Sequence, residues 1–503
     1  MSSYPVSWRR PRREWLRPGG LYPLGMPPFD PFPTVSDVIA ADFCPYACVH
    51  RLLHGVQGSP TITGETGLER AGDLFHQFIA LVKSLIVSGR LRRLTPGTLR
   101  REFEEFMGHL GTRYPHGVDS QRLWDNYVRP WCERKLDELN EIEVGARLFF
   151  EVDTSSAYVR FEHGDRSFSY PLKGRIDELN LDEEVIVERT IVGTPYDESP
   201  PDPDAMQIWL LWKTLTSIDR ENYPSELRDV DFRSFELIVE TPYRDFEVRH
   251  DNPEFEERAL RAYSWIRDIA EDPRGILVAH RERRCDREPG IRCSFMYRYI
   301  GCRRRLPNYP LVRPAMRQRF RGWYRSLLWE LMWDRDFFEY ALLMLRAEEL
   351  ERDGLIIRAR LRGELTDTPE GTLIELELPS DAVGPVAAHV RDIGRCTIVF
   401  GTFHLGQRLE GELLDTSGEG RIRIIVRRRY MPIMLSSVTI LSDTTLLESR
   451  PWFLIRRIQR YLFQYEQIGR DRNDRAREDA FVQLVEALFG GPRSLARGGE
   501  NRE

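Results

Sequence analysis

Pro171–Val192, PLKGRIDELNLDEEVIVERTIV, is the stretch from which the rest of the chain is read. Two apolar-rich runs flank a short acidic segment, so it predicts a β-hairpin. A two-residue turn at Asp182 and Glu183 sets residue 181 opposite 184, and therefore Asp177 opposite Glu188. Directly opposed residues of a strand pair have Cβ atoms roughly 4.5–5.5 Å apart. Two carboxylates that close repel each other unless a cation lies between them. Mg²⁺ and Mn²⁺ prefer such hard oxygen ligands. Incidental acids on a solvated hairpin give the same pattern, so the pair alone does not define a function.

The chain has 503 residues, 41% hydrophobic and 30% charged, which is the balance of a globular protein of several domains. No apolar run approaches the length of a membrane span. The first twenty residues contain arginines but no apolar signal core, so the expectation is an intracellular, cytoplasmic protein. A net charge of −6 says little about nucleic acid, but its distribution says more. Arginines cluster at Arg9–Arg17, Cys302–Arg325 and Arg421–Tyr430, each with or beside a Trp or Tyr. Arginine with aromatics suits phosphate pairing and base stacking, although surface ion pairs produce the same composition. Lysine is confined to positions 83, 135, 173 and 213.

Along the chain, residues 1–35 read as an extended basic tail. A capped helix follows, with Ser36 at its N-cap, and Gly67–Val87 has apolar residues at helical spacing. Residues 99–139 predict further helix. Strands then run through ARLFFEV, AYVRFE, SFSYPLKGRIDEL and EVIVERTIV, followed by a helix over 202–218, a strand at SFELIVETPY and a helix near 254–270. This order predicts an α/β domain over 36–310. A helical stalk over 311–352, a small β-barrel over 353–450, helices over 451–488 and a disordered tail over 489–503 complete the expectation.

The segments around the hairpin, taken in order, resemble the RecB-like branch of the PD-(D/E)XK nucleases. The likeness is nearest to CRISPR-associated RecB-type exonucleases and to the nuclease half of flap-processing nuclease–helicases. SDVIAADFCPYACVHRLL is similar to their opening helix with its Cys-Pro. GDLFHQFI is similar to their Gly-x-x-x-His helix, giving Gly72 and His76. LKGRID resembles the Gly-x-x-Asp strand at Gly174 and Asp177. VIVERT resembles the Glu-x-Lys strand at Glu188, with Thr190 where the lysine is expected. AMQIWLL resembles the Gln-x-x-x-Tyr helix at Gln207, with Leu211 in the tyrosine position. The resemblance spans roughly 36–305 and implies a restriction-endonuclease-like α/β nuclease core. It implies His76, Asp177, Glu188 and the main-chain carbonyl of Arg189 as ligands of Mg²⁺ or Mn²⁺, with Gln207 positioning DNA or the backbone of the site.

The missing lysine leaves three readings open. Lys173 or Lys213 takes its role, the site works without a lysine, or cleavage is impaired or lost. Lys173 shares the strand face of Asp177 but lies about 13 Å along an extended strand, and Lys213 lies about 240° round the helix from Gln207. The side chain of Arg189 points to the other face.

The resemblance also implies a 4Fe–4S cluster, held by one cysteine before the core and three after it. Here Cys44, Cys285, Cys293 and Cys302 are the expected ligands, with Cys48 in reserve and Met296 at the middle position of the usual spacing. Cys132 and Cys396 fit no grouping and read as packed thiols. The stalk and barrel are similar in character and size to those of the flap-processing enzymes. The sequence contains no phosphate-binding loop, so two readings stand for the motor: a superfamily 1 helicase or other ATPase acts in trans, or the motor is lost. The expected function is single-stranded DNA end or flap processing. The alternative is a catalytically impaired DNA-binding or scaffold subunit that retains the fold.

Overall fold

The computed structural model describes residues 32–43, 68–111, 118–271, 339, 342–352, 356–363, 366–368, 371–380, 395–417, 420–426 and 438–441. The tail before residue 32, Cys44, Cys48, Cys285, Cys293, Cys302, residues 311–338 of the expected stalk, the 451–488 helices and the 489–503 tail lie outside the described residues.

Helix α1, Val35–Phe43, starts one residue before Ser36, the cap predicted from the sequence. Thr34 is the cap. Its hydroxyl accepts the Asp37 N–H at 3.1 Å, and the Asp37 carboxylate accepts the Thr34 N–H at 2.8 Å. This reciprocal box satisfies backbone donors at both positions. Helix α2 is Leu68–Val87, α3 is Pro96–Gly111, α4 is Ser120–Leu123 and α5 is Arg129–Glu141. The helix predicted over 99–139 is therefore three pieces. Between α4 and α5 the chain widens into a π-turn, Trp124–Val128, where the Arg129 N–H reaches back five residues to the Trp124 carbonyl. Pro130 follows at once and has no N–H to continue a tighter ladder. These helices bury an aromatic cluster including Phe75, Phe78, Phe103, Trp124 and Trp131.

Strands β1, Leu148–His163, and β2, Arg166–Asn180, form a long hairpin. The two runs ARLFFEV and AYVRFE are one strand, with a register shift between Ser156 and Val159. Strand β3, Val185–Arg189, pairs antiparallel with β2 through Asn180↔Val185, Leu179↔Ile186 and Glu178↔Val187. The register is the predicted one and leads next to Asp177 and Glu188. The connecting turn is longer than two residues, and Glu184 takes a left-handed φ of 55°. Helix α6, Asp202–Thr216, crosses over to β4, Glu236–Glu240, which runs parallel to β3. Strand β5, Asp245–Val248, is antiparallel to β4, and α7, Pro253–Glu271, packs back on the sheet.

The core of this half lies between the sheet and helices α1, α6 and α7. It includes Ile176, Ile186, Trp209, Leu211, Leu237 and Ile266. Gly174 makes the approach of the helices to β2 possible. A Cβ there would lie 2.3 Å from Leu211 Cδ2 and 2.9 Å from Val35 Cγ2. Arg258 on α7 locks the helices together. It donates to Asp42 on α1 at 2.7 Å and to Asp202 on α6 at 2.7 and 2.8 Å.

After α8, Ala347–Arg352, the chain forms β6 (Ile356–Leu361), β7 (Thr366–Thr368), β8 (Gly371–Glu377), β9 (Arg395–Gly401), β10 (Leu405–Ser417), β11 (Arg421–Val426) and β12 (Val438–Leu441). Six of these close a barrel in the order β11–β8–β6–β12–β9–β10, and β10 pairs again with β11. Alternate residues fill it, such as Cys396, Ile398 and Phe400 on β9 and Ile422, Ile424 and Val426 on β11. Strand β1 pairs with β10 at Asp153↔Gly406 and Thr154↔Leu405, so barrel and α/β half share one twelve-stranded sheet. The protein is thus a mixed α/β protein with a closed six-stranded barrel and further strands. Among the described residues, no helix is long and apolar enough to cross a membrane.

Candidate functional site

Strands β2 and β3 supply Asp177 and Glu188, α2 supplies His76, and α6 supplies Gln207. His76 Nδ1 lies 3.4 Å from Asp177 Oδ2, although 101 positions separate the two in sequence. The same Asp177 oxygen accepts the Arg189 N–H at 2.8 Å. The Gln207 amide donates to Glu188 Oε1. Gln207 therefore holds the carboxylate itself. Gly72, one turn before His76, has ordinary room beside it: an added Cβ would meet only Ile191, at 3.9 Å.

A buried charge network on the far face of the sheet holds this arrangement. The Arg189 side chain leaves the site, as its position in the strand requires, and pairs with Glu178 and, at 2.6 Å, with Glu240. Lys83 Nζ reaches Glu178 at 2.8 Å. Lys83 and His76 are seven residues apart on α2, two turns along one face. The bond to Glu178 thus sets the height at which His76 meets Asp177. Arg134 and Lys135 of α5 both reach Asp245, at 2.7 and 2.6 Å. Burial works against the charge on Glu240, but Arg189 and the two lysines outweigh it and bring its pKa down to about 2. An ion-pair network of this kind is costly to break, because each unpaired member stays buried.

The electrostatics of the site differ at each carboxylate. Burial raises the pKa of Asp177, but His76 and Arg189 outweigh burial and lower it. Burial likewise opposes protonation of His76, and the Asp177 charge outweighs that and raises its pKa. Glu188 goes the other way: burial, then the charges of Asp177 and Asp204, raise its pKa well above the usual range. Asp204 is pushed up to about 7 by burial, with a contribution from Asp177. Thr190 acts against burial at Asp204, and its hydroxyl accepts the Val192 N–H at 3.2 Å.

Asp204 and the network residues Lys83, Glu178 and Glu240 were not singled out from the sequence. For Asp204 the signal was present. It precedes Gln207 by three residues on one helix face, and Thr190 follows Glu188 by two on one strand face. For the network residues only the fold reveals the pairing, because α2, β2, β3 and β4 each contribute to it.

The two lysines considered for the missing one are engaged elsewhere. Lys173 Nζ lies 2.9 Å from Glu339, which Arg408 of the barrel also binds. Lys213 Nζ lies 3.1 Å from Glu256 and stacks over Trp209. Among the described contacts, neither ammonium meets Asp177 or Glu188. Cys132 and Cys396 are buried free thiols, and burial pushes the pKa of each up to about 12. The arginines of the 421–430 cluster that are described face acids. On the barrel, Arg421 stands opposite Glu377 and Arg423 opposite Glu375.

Among the described residues, no three His, Cys, Asp or Glu side chains stand together in a form that could hold a metal ion. The donors are turned to protein partners, His76 to Asp177 and Gln207 to Glu188. The chemistry of the donor set nevertheless fits a hard divalent cation. Glu188 is 4% exposed, and its Oε2 is buried with no hydrogen-bond partner. The burial of that orphaned oxygen and the like charges of Asp177 and Asp204 acting on Glu188 are costs that a cation would relieve.

What fold and site define is a mixed α/β protein with a barrel and a buried carboxylate cluster at a strand pair. No protein-family model matches the chain, and no curated protein matches it.

Proposed function

We propose that the chain is a divalent-metal-dependent DNA nuclease of the RecB-like kind, acting on single-stranded ends or flaps. The observation that carries this reading is the meeting of His76, Asp177, Glu188 and Gln207. Four separate segments supply them, and each is a residue that the resemblance implies for the site. The element order also supports a restriction-endonuclease-like core: helices, three antiparallel strands, a crossover helix and a parallel fourth strand.

In this reading Asp177, Glu188 and His76 hold the ion, with the Arg189 carbonyl as a further ligand. A bound Mg²⁺ or Mn²⁺ supplies an acidified water and stabilises charge on the phosphate. Gln207 orients Glu188, the Arg189 N–H orients Asp177, and the Lys83–Glu178–Arg189–Glu240 network keeps both strands in place. A 4Fe–4S cluster on Cys44, Cys285, Cys293 and Cys302 and a helicase partner in trans belong to the same proposal.

A second reading, a cleavage-impaired DNA-binding or scaffold subunit, is favoured by one observation. Thr190 carries no charge, and Lys173 and Lys213 are both paired with other acids. Incubation of the full chain with labelled single-stranded DNA and Mn²⁺ separates the two. The nuclease reading expects cleavage that falls at least about 100-fold in Asp177→Ala. Binding without cleavage at every Mn²⁺ concentration establishes the second reading instead. The cluster has its own readout: absorbance near ~400 nm from thiolate-bound iron, lost in Cys293→Ser. Colourless protein purified without oxygen excludes it.

A further inference from the structure

Four segments far apart in the sequence meet where the barrel joins the α/β half. Phe32, just before α1, is buried and packs with Ala157 of β1, Leu343 and Phe403. The Pro33 carbonyl accepts the Lys173 N–H at 3.2 Å. The Lys173 ammonium lies over the Phe32 ring, 5.8 Å from its centre. Glu339 and Leu343 are both helical and four positions apart, which is the spacing of one helix face. One of them brings a carboxylate to the junction and the other an apolar side chain.

Arg408 of β10 reaches β2 by two routes. Its guanidinium lies 3.2 Å from each oxygen of Glu339, and Glu339 meets Lys173 Nζ at 2.9 Å. Its backbone N–H donates to Asp153 Oδ2 at 2.8 Å, and Asp153 Oδ1 accepts from Arg175 Nε at 3.1 Å. Lys173 and Arg175 lie four and two positions before Asp177 on the same strand. Glu339 is buried, with one cation from each half of the molecule on it. Burial works against its charge, but Arg408 and Lys173 outweigh burial and bring its pKa down to about 2. Loss of one member of such a triad leaves another buried charge unpaired, so the triad holds or fails as a unit. The ladder between β1 and β10 is short by comparison. It has two residue pairs among the described residues, Asp153↔Gly406 and Thr154↔Leu405, with a bond from Gln407 to the Phe150 carbonyl beside them.

We propose that Arg408, Glu339 and Phe32 form a clasp through which the barrel holds the strand that carries Asp177. Arg408 is then a positioning residue, seated in the barrel and acting on β2 through Glu339 and Asp153. Phe32 closes the clasp from the other side, because it covers Lys173 and packs against Phe403 of the barrel. The proposal concerns the strand itself and does not rest on what the site binds.

The test is amide hydrogen exchange on the full chain, read in peptides covering Leu172–Glu178 of β2 and Leu405–Glu412 of β10. The clasp expects Arg408→Met, a change in the barrel, to speed exchange about tenfold or more in the β2 peptide as well as in the β10 peptide. Glu339→Gln and Phe32→Ala should loosen the same two strands together. Arg408→Lys keeps a cation on Glu339 and should hold β2 closer to wild type than Arg408→Met does. Glu375→Gln, on β8 of the barrel and outside the clasp, should leave β2 at the wild-type rate. Faster exchange in β10 with β2 unchanged in Arg408→Met overturns the proposal. So does an equal effect of Glu375→Gln on β2, which would mean that any loosening of the barrel reaches that strand. If Arg408→Met does not fold, Phe32→Ala is read in its place, and unchanged β2 exchange there overturns the proposal.

Discussion

Burial of Glu188 and Asp204, with the Asp177 charge acting on both, makes stability depend on pH in a direction that can be worked out. Folding raises the pKa of Glu188, and that of Asp204 to about 7. Their contribution is fully present below the unfolded carboxylate range near ~4 and is lost as pH rises through the raised values. His76, also raised, contributes below its unfolded value near ~6.5 and loses that contribution as pH rises further. Glu240 and Glu339, each lowered to about 2, contribute above the unfolded value near ~4.5 and lose it in acid. In chelator the melting temperature should therefore fall from pH 5 to pH 8, and Mn²⁺ should raise it at pH 8. A melting temperature that climbs over that range, or ignores Mn²⁺ at pH 8, contradicts this account of the site. At this scale the sequence was informative about identity and less so about partners. The facing of Asp177 and Glu188 followed from strand periodicity. The bond from Gln207 to Glu188 needed the angle at which α6 crosses the sheet.

Elements follow their sequence patterns closely where apolar periodicity is strong, as in α2 and the barrel strands. They depart where one backbone bond decides. The α1 cap moved to Thr34 because Asp37 returns its hydrogen bond, and the last rung of β3 on β4 is the Thr190 N–H donating to the Glu240 carbonyl at 3.0 Å, the bond that pairs Arg189 with Glu240. Gly174 shows what a motif glycine is for. It is the point where α6 and α1 rest on β2, through Leu211 and Val35. Gly174→Ala should destabilise the protein by about 1–3 kcal/mol through overpacking, with the loss read from urea unfolding. Stability equal to wild type would mean that the helices do not sit as close to β2 as described. Leu211, the residue at the expected tyrosine position, serves this packing and lies 1% exposed. That burial accounts for an apolar residue there.

At the scale of the molecule, the barrel was legible from its alternating strands, but its attachment was not. Asp153 and Thr154 of β1 pair with Gly406 and Leu405 of β10, and Gln407 donates to the Phe150 carbonyl at 2.9 Å. Pairing between strands about 250 positions apart leaves no local trace in the sequence. The shared sheet makes β1 a structural link: one end carries the barrel and its partner β2 carries Asp177. Lys173, a neighbour of Asp177 on β2, is spent on the same junction through Glu339 and Arg408. The molecule thus has a carboxylate pair on adjoining strands, braced by buried ion pairs behind it and by a barrel beside it, and the proposed function is that this pair acts on single-stranded DNA. The cleavage rate of labelled single-stranded DNA in Mn²⁺ by Glu188→Gln, relative to wild type, tests that claim most directly. The account predicts a measurable wild-type rate that falls at least about 100-fold in the variant. A variant that cleaves as fast as wild type contradicts it.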